Sequence, residues 1–223
     1  MEPGKKLKEY VSSYCIFDLE TTGISHKKDK IIEISAIKVK DGEVIEEFST
    51  LVNPGMHIPY YATEVNGITD SMVKDAPEIK DALSDFVDFI ENYVLIGHNI
   101  QCFDMKFIYR EMKDCFGDII ANDYIDTLPM ARQALPNLAH HTLVDLAEHY
   151  GLSSEGAHRA LNDCRMNQIV YENLREDIER QYENTPKEMR CPLCSRPLKI
   201  RNGKFGEFIG CTGYPTCRYT RNV

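Results

Sequence analysis

The chain has no run of about 18 apolar residues, so it offers no candidate for a membrane-spanning helix. Its opening, Met1-Glu2-Pro3-Gly4-Lys5-Lys6-Leu7-Lys8, lacks the apolar stretch of a secretory signal, and the cytoplasm is the expected location. It shows no internal repeat or low-complexity segment, which leaves an ordinary globular frame. Basic residues are scarce over most of its length. Of 26 Lys and Arg and 35 Asp and Glu, eight basic and only two acidic residues lie from Pro186 onward, which leaves 18 basic against 33 acidic before it. The two parts therefore carry net charges of +6 and −15, the pattern of a basic module tethered to an acidic one. Eight cysteines in a chain read as cytoplasmic are expected to be reduced thiols and metal ligands, not disulfides.

With 223 residues and 43% hydrophobic content, the chain has room for one well-packed domain and something small beside it. A charged, helical stretch from Asn173 to Glu183 runs into Asn184-Thr185-Pro186 and marks the boundary. The expected division is an arm over 1–11, a domain over 12–175, a linker over 176–186 and a small module over 187–223.

The first domain alternates strands and helices. Tyr14 to Phe17 reads as a short strand. Ile31 to Val39 and Val44 to Val52 are rich in β-branched residues and flank Asp41-Gly42, a hairpin signal. Leu83, Phe86, Val87 and Ile90 form a helical stripe within Ala76 to Asn92, and Tyr93 to Ile96 reads as a buried strand. A helix is predicted over Met105 to Cys115, a strand near Tyr124 to Ile125, and a helix through Leu143, Leu146, Ala147 and Tyr150 that Gly151 ends. The last helix should run from about Ala160 past Leu174. A hairpin joined to βα units implies an α/β fold, a mixed sheet with helices packed on it.

Three acidic clusters stand out. In Ile16-Phe17-Asp18-Leu19-Glu20-Thr21-Thr22-Gly23, Asp18 and Glu20 lie two apart on a strand and share a face. Paired carboxylates near an apolar core repel each other, and a divalent cation with a taste for hard oxygen ligands removes that cost. Two solvated charges at a strand end are the plainer alternative. The second cluster, Gly97-His98-Asn99-Ile100-Gln101-Cys102-Phe103-Asp104, leaves a strand and opens a helix. Asn99 can donate to a base or sugar, and Asp104 is either a third metal carboxylate or a helix N-terminal charge. His98 reads as a satisfied strand-end histidine. The third cluster, Gly156-Ala157-His158-Arg159-Ala160-Leu161-Asn162-Asp163, raises a question of geometry. Five residues on one helix turn the side chain by about 140°. His158 and Asp163 can therefore face one site only if His158 sits before the helix or at its first turn, and Gly156 makes a loop there reasonable; a capped helix start with an exposed histidine is the plainer alternative.

In this order the clusters resemble the DEDDh subgroup of the DnaQ-like 3′–5′ exonucleases, which have a ribonuclease H-like fold. Glu64-Val65-Asn66-Gly67-Ile68-Thr69-Asp70, Ile125-Asp126-Thr127-Leu128 and Leu143-Val144-Asp145-Leu146-Ala147 are similar to further segments of that family, and the likeness spans roughly residues 12 to 175. The resemblance implies that Asp18, Glu20, Asp104 and Asp163 hold two magnesium or manganese ions and that His158 is the general base. It also places Leu19, Thr21, Thr22, Asn99 and Phe103 against the substrate. Three residues separate Asn99 from Phe103-Asp104 where many members have two, so a small bulge is expected there.

Beyond Pro186, Cys191-Pro192-Leu193-Cys194 and the pair Cys211 and Cys217 supply four soft thiolates, the donor set that zinc prefers. About 37 residues with almost no aliphatic core need such a staple to fold. The segment, with Gly203-Lys204-Phe205-Gly206-Glu207-Phe208-Ile209-Gly210-Cys211, resembles the zinc ribbons at the C-termini of bacterial type IA DNA topoisomerases. Cys15, Cys102, Cys115 and Cys164 read as core residues. Phe205, Tyr214 and Tyr219, interleaved with Arg201, Lys204, Arg218 and Arg221, can stack on unpaired bases while the cations follow a backbone; Phe208 reads as ribbon core.

The expected function is a metal-dependent 3′–5′ exonuclease on single-stranded or frayed nucleic-acid ends, DNA favoured, with a DNA polymerase or repair partner and a ribbon that aids binding. RNA 3′-end trimming and a non-catalytic adaptor that keeps the fold are the alternatives.

Overall fold

The computed structural model describes residues 2–153, 158–214 and 217–223. The chain forms two compact units, Met1–Asn173 and Leu174–Val223.

In the first unit, β1 (Ser13–Thr21), β2 (Ile31–Lys40) and β3 (Glu43–Leu51) form an antiparallel meander. Asp41 and Gly42 join β2 to β3 with φ of 51° and 84°, the pair of positive values that a two-residue hairpin turn of matching twist requires. Two short helices follow, α1 (Tyr60–Asn66) and α2 (Asp70–Val73), then α3 (Ile79–Ile90). β4 (Val94–Gly97) pairs parallel with β1, with Ile16 opposite Ile96. After α4 (Asp104–Phe116), β5 (Tyr124–Asp126) pairs parallel with β4. The sheet order is β3-β2-β1-β4-β5. α5 (Thr127–Ala134), α6 (Leu143–His149) and the long α7 (Ala160–Glu183), which runs on past Asn173, follow. This is the expected mixed sheet flanked by helices. α1, α2 and α5, of seven, four and eight residues, are helices that hydrophobic periodicity did not reveal.

Strand alternation divides β1 between two cores. Cys15, Phe17 and Leu19 point to one face, where Leu83, Phe86 and Ile90 of α3 and Phe107 and Ile108 of α4 cover them. Tyr14 and Ile16 point to the other, against Cys164 and Tyr171 of α7. Each such buried side chain contributes about 1.5–3 kcal/mol of burial free energy. α7 is further tied to β1 by Tyr14 Oη, which donates to Glu172 Oε1 at 2.6 Å. The face of Tyr14 and Ile16 continues, two residues at a time, into Asp18 and Glu20. The apolar core and the acidic cluster are thus one strand face read from end to end.

The second unit carries a three-stranded antiparallel sheet of β6 (Leu198–Gly203), β7 (Gly206–Cys211) and β8 (Thr220–Asn222). Its core is only Cys191, Leu198, Ile209 and Cys211, with Met189, Cys217 and Tyr219 packed against it. Among the described residues, no helix is long and apolar enough to cross a membrane.

Candidate active site

Carboxylate oxygens of Asp18, Glu20 and Asp163 lie within 4.8 Å of one another. Two come from the end of β1, and Asp163 comes from the first turn of α7, packed on the same sheet face. Asp104 is buried at the first turn of α4 and accepts the Leu19 backbone N–H. It stands outside the 4.8 Å set but close enough that its charge acts on Asp18.

Burial, then mutual repulsion, raises the proton affinity of the whole group. Asp18 is pushed well above the usual carboxylate range by burial and by Asp104, Asp163, Glu20 and Glu33. Glu20 is pushed up to about 8 by burial, Asp163 and Glu33, against a hydrogen bond from Asn66. Asp104 rises to about 7, mainly by burial, although backbone N–H donors oppose it. Asp163 is also raised by burial, against the His158 N–H, which donates to its Oδ2 at 3.1 Å. Hard oxygen donors in this density are the donor set of a divalent ion, and the residues present fit one.

His158 lies ahead of α7 with φ of 65°, exposed. Leaving the helix frees it from the 140° conflict with Asp163. Gly156, on which a loop was expected, falls outside the described residues. The anticipated bulge before Asp104 is instead a turn. Asn99 takes φ of 59°, its carbonyl accepts the Cys102 and Phe103 N–H groups, and its own N–H donates to Asp126 Oδ1 at 3.0 Å. Gly97 permits this turn, since a Cβ there would come within 2.8 Å of Ile100. His98 is a satisfied histidine: Nε2 donates to the His141 carbonyl at 2.8 Å, and burial holds its pKa below the ordinary value.

Of the residues expected against substrate, several side chains are engaged elsewhere. Leu19 packs in the core. Thr22 is fully buried, with its hydroxyl accepting the Lys30 N–H at 2.9 Å. The Thr21 hydroxyl donates to the Gly23 carbonyl at 2.7 Å. Phe103 packs against Phe107 with ring centres 5.1 Å apart and planes tilted by 52°, and it is partly buried.

Two neighbours of the site escaped the sequence reading. Asn66, buried at the end of α1, accepts the Ile68 N–H on Oδ1 and donates to Glu20. Glu33 of β2 sits opposite Glu20 in the antiparallel register. It is buried and accepts Arg159 Nη2 at 2.9 Å, Arg159 Nε at 3.3 Å and the Ala160 N–H at 3.2 Å. That clasp fixes the start of α7, and with it His158 and Asp163. A lone acid inside the apolar run Ile31-Ile32-Glu33-Ile34 was the available signal. Glu33→Ala leaves the Ala160 N–H and the guanidinium without their acceptor, and is expected to lower stability by about 1–3 kcal/mol. Thermal unfolding checks it; an unchanged midpoint would contradict the clasp.

In the second unit, sulfur atoms of Cys191, Cys194, Cys211 and Cys217 lie within 4.8 Å of one another, with Cys191–Cys217 at 3.5 Å and Cys194–Cys211 at 3.4 Å. Zinc–sulfur bonds of about 2.3 Å at tetrahedral angles set sulfurs roughly 3.8 Å apart, so the four thiols fit zinc. Burial works against ionising Cys191, yet N–H donors at Leu193 and Cys194 bring its thiol down to about 7. Phe205 and Tyr214 are exposed, at 96% and 63%, whereas Tyr219 is partly buried against the ribbon core.

Both segments of the chain are similar to known proteins. The exonuclease family model matches residues 15–171, and the topoisomerase DNA-binding C4 zinc finger model matches residues 188–223. A PolC-type DNA polymerase III of Clostridium perfringens is 40% identical over 176 residues, 77% of this chain. The match spans 12% of that polymerase's own length. DNA polymerase III subunit epsilon of Aquifex aeolicus is 33% identical over 170 residues, 76% of this chain and 84% of that one. Among solved structures, exonuclease X in complex with 5′ overhanging duplex DNA superposes with a TM-score of 0.60 at 24% identity, covering 73% of this chain and 91% of that one. Escherichia coli exonuclease I in complex with a dT13 oligonucleotide gives 0.67 at 18% identity, covering 93% and 54%. At these identities the structures show a shared fold. The matched nuclease segment contains Asp18, Glu20, Asp104, His158 and Asp163, and the zinc-finger segment contains all four clustered thiols. The chain belongs to the exonuclease family, with a C4 zinc-finger segment behind its exonuclease-family segment.

Proposed function

We propose that the protein removes nucleotides from the 3′ ends of single-stranded or frayed DNA, with two magnesium or manganese ions held by Asp18, Glu20, Asp163 and, less directly, Asp104. The observation that carries this reading is the gathering of Asp18, Glu20 and Asp163 within 4.8 Å from segments about 140 residues apart in sequence. DNA is favoured because the relatives are DNA polymerase III chains and the similar structures hold DNA. Bound divalent ions would lower the pKa of the attacking water and neutralise the departing 3′ oxygen.

The chain's own residues supply the rest. Asp18 and Glu20 project from a strand pinned on both sides, so their positions do not depend on substrate. His158 takes the proton of the attacking water, and its backbone bond to Asp163 Oδ2 holds base and carboxylate in one frame. Asn66 and the Glu33–Arg159 pair orient Glu20 and the start of α7.

In this reading residues 12–175 form the nuclease domain, 1–11 an arm and 187–223 a zinc ribbon, with 176–186 between them. The ribbon's net charge of +6 falls to about +4 with four thiolates and zinc, and its exposed Phe205 and Tyr214 face solvent as stacking platforms. It draws a polyanion toward an acidic nuclease by raising its local concentration. The cytoplasm keeps its thiols reduced, and a polymerase or repair complex is the fitting partner.

The deciding assay supplies DNA and RNA oligonucleotides, single- and double-stranded and labelled at the 5′ end, with magnesium, manganese or chelator. Stepwise shortening that requires metal is expected, faster on single-stranded DNA. Products of endonucleolytic size, or hydrolysis in chelator, would overturn the reading. His158→Ala is expected to lower the rate by about 10²–10⁴-fold, the usual worth of a general base. Full activity in that variant would remove His158 from the mechanism.

A further inference from the structure

The first unit contains four arginines, and three are ion-paired: Arg110 with Glu111, Arg159 with Glu33 and Arg165 with Glu47. Arg132, on the exposed side of α5, has no ion-pair or hydrogen-bond partner among the described residues. In a unit where acidic residues outnumber basic ones 29 to 16, an arginine without a carboxylate stands out. It lines a cavity of about 510 Å³ together with His98, Asn99, His140, His141 and Thr142.

The wall of this cavity is fixed by its own hydrogen bonds. His98 Nε2 donates to the His141 carbonyl at 2.8 Å, and His98 Nδ1 lies 3.0 Å from Thr127 Oγ1. Thr127 Oγ1 is in turn 3.1 Å from the Asn167 side-chain amide on α7, one turn beyond Asp163. His141 Nε2 donates to the Leu135 carbonyl at 2.9 Å. Both rings are therefore committed to holding the loop. Arg132, the exposed His140 and the Asn99 side chain are left to meet a ligand.

The place of the cavity says which ligand. β4 runs parallel to β1 with Ile16 opposite Ile96, so His98 leaves the sheet level with Asp18. Neighbouring strands lie about 4.8 Å apart, which sets the ends of β4 and β5, where the cavity opens, roughly 5–10 Å to the side of β1 and its carboxylates. The carboxyl ends of strands are where open α/β sheets bind ligands. A guanidinium presents a planar fork that matches two oxygens of a phosphodiester. On a 3′ end, the terminal nucleotide has no phosphate beyond the scissile one, so a second phosphate within this reach belongs to the 5′ side.

We propose that Arg132 and the cavity beside it bind a backbone phosphate of the substrate strand, one or two nucleotides to the 5′ side of the bond that is cut. The proposal rests on the exonuclease reading and names a positioning contact within it. It accounts for how an acidic domain grips a polyanion next to its most acidic point.

The test compares full-length protein with Arg132→Gln and Arg132→Lys. The substrates are a dT10 oligonucleotide and p-nitrophenyl thymidine 5′-phosphate, which has a scissile phosphodiester and no second phosphate. For Arg132→Gln, KM on dT10 is expected to rise about tenfold with kcat little changed. The loss on the small ester is expected to be at least fivefold smaller, and Arg132→Lys is expected to recover part of the KM. Binding of labelled dT10 in chelator gives a reading independent of chemistry. The slope of log affinity against log salt should be shallower by about 0.7 in Arg132→Gln, the share of one phosphate on a single strand. Equal losses on both substrates, or an unchanged KM and salt slope, would overturn the phosphate site. If the wild type cleaves neither substrate, the exonuclease reading falls, and the salt slope still decides the fate of the cavity.

Discussion

Asp18→Asn is expected to abolish nucleolysis, a loss of roughly 10⁴-fold or more, as when a member of an interdependent catalytic group is removed. It is also expected to make the metal-free protein more stable. Asp18 is raised by burial and by four neighbouring carboxylates, so an uncharged amide of the same shape relieves repulsion that only a cation otherwise relieves. The same physics sets a pH dependence in chelator. Glu20 binds its proton up to about 8 in the folded chain, against an ordinary value near 4.3 once unfolded. The folded state therefore holds more protons between these limits. The stabilisation is complete at the acidic end and is lost as pH rises through about 8. Metal-free protein should be less stable at pH 8 than at pH 5.5, by on the order of a few kcal/mol, and unfold at a correspondingly lower temperature. Magnesium or manganese should restore most of the difference at pH 8, and Asp18→Asn should flatten it. Thermal unfolding across that range is the measurement. A midpoint that rises with pH in chelator, or an active Asp18→Asn enzyme, would refute the carboxylate cage.

The second large effect concerns the thiols. Cys194→Ser is expected to unfold residues 187–223 while leaving the nuclease unit folded. The ribbon's core is four side chains, two of them cysteines, and cannot offset the ordering of its backbone without metal. Structural zinc supplies on the order of 10–16 kcal/mol in such modules. Cys194 is exposed, so the loss comes from the missing zinc bond and not from a core cavity. Amide NMR spectra should show collapsed dispersion for the ribbon alone. Limited proteolysis should release a protected fragment of about the first unit, and affinity for single-stranded DNA should fall more than the turnover rate. A ribbon that stays folded in Cys194→Ser, or in strong chelator, would end the zinc assignment.

The strands of the first unit, its hairpin and the helices α3, α4, α6 and α7 were legible in sequence because each declares itself within a dozen residues. Asp41-Gly42 can only turn, and Leu83, Phe86 and Ile90 can share a face only on a helix. Asp18 and Glu20 were legible for the same reason, as were Cys191 and Cys194. Helical pitch limited His158 to a place before α7 or at its first turn, and the structure takes the first of these, with φ of 65°. The resemblance to an exonuclease family then joined clusters that no local rule connects.

Sequence by itself determined the donor types, their local spacing and the face from which each would project, since backbone periodicity enforces these without reference to the rest of the chain. Tertiary structure decided what lies across from them. Glu33 stands opposite Glu20 through the β1–β2 register, and Arg159 reaches Glu33 across 126 residues of chain. Asn66 arrives from a helix too short to announce itself, and Arg132 is distinguished only by a partner it does not have. Such relations depend on register, on crossover and on which charge is already engaged. They come into being when the chain closes on itself.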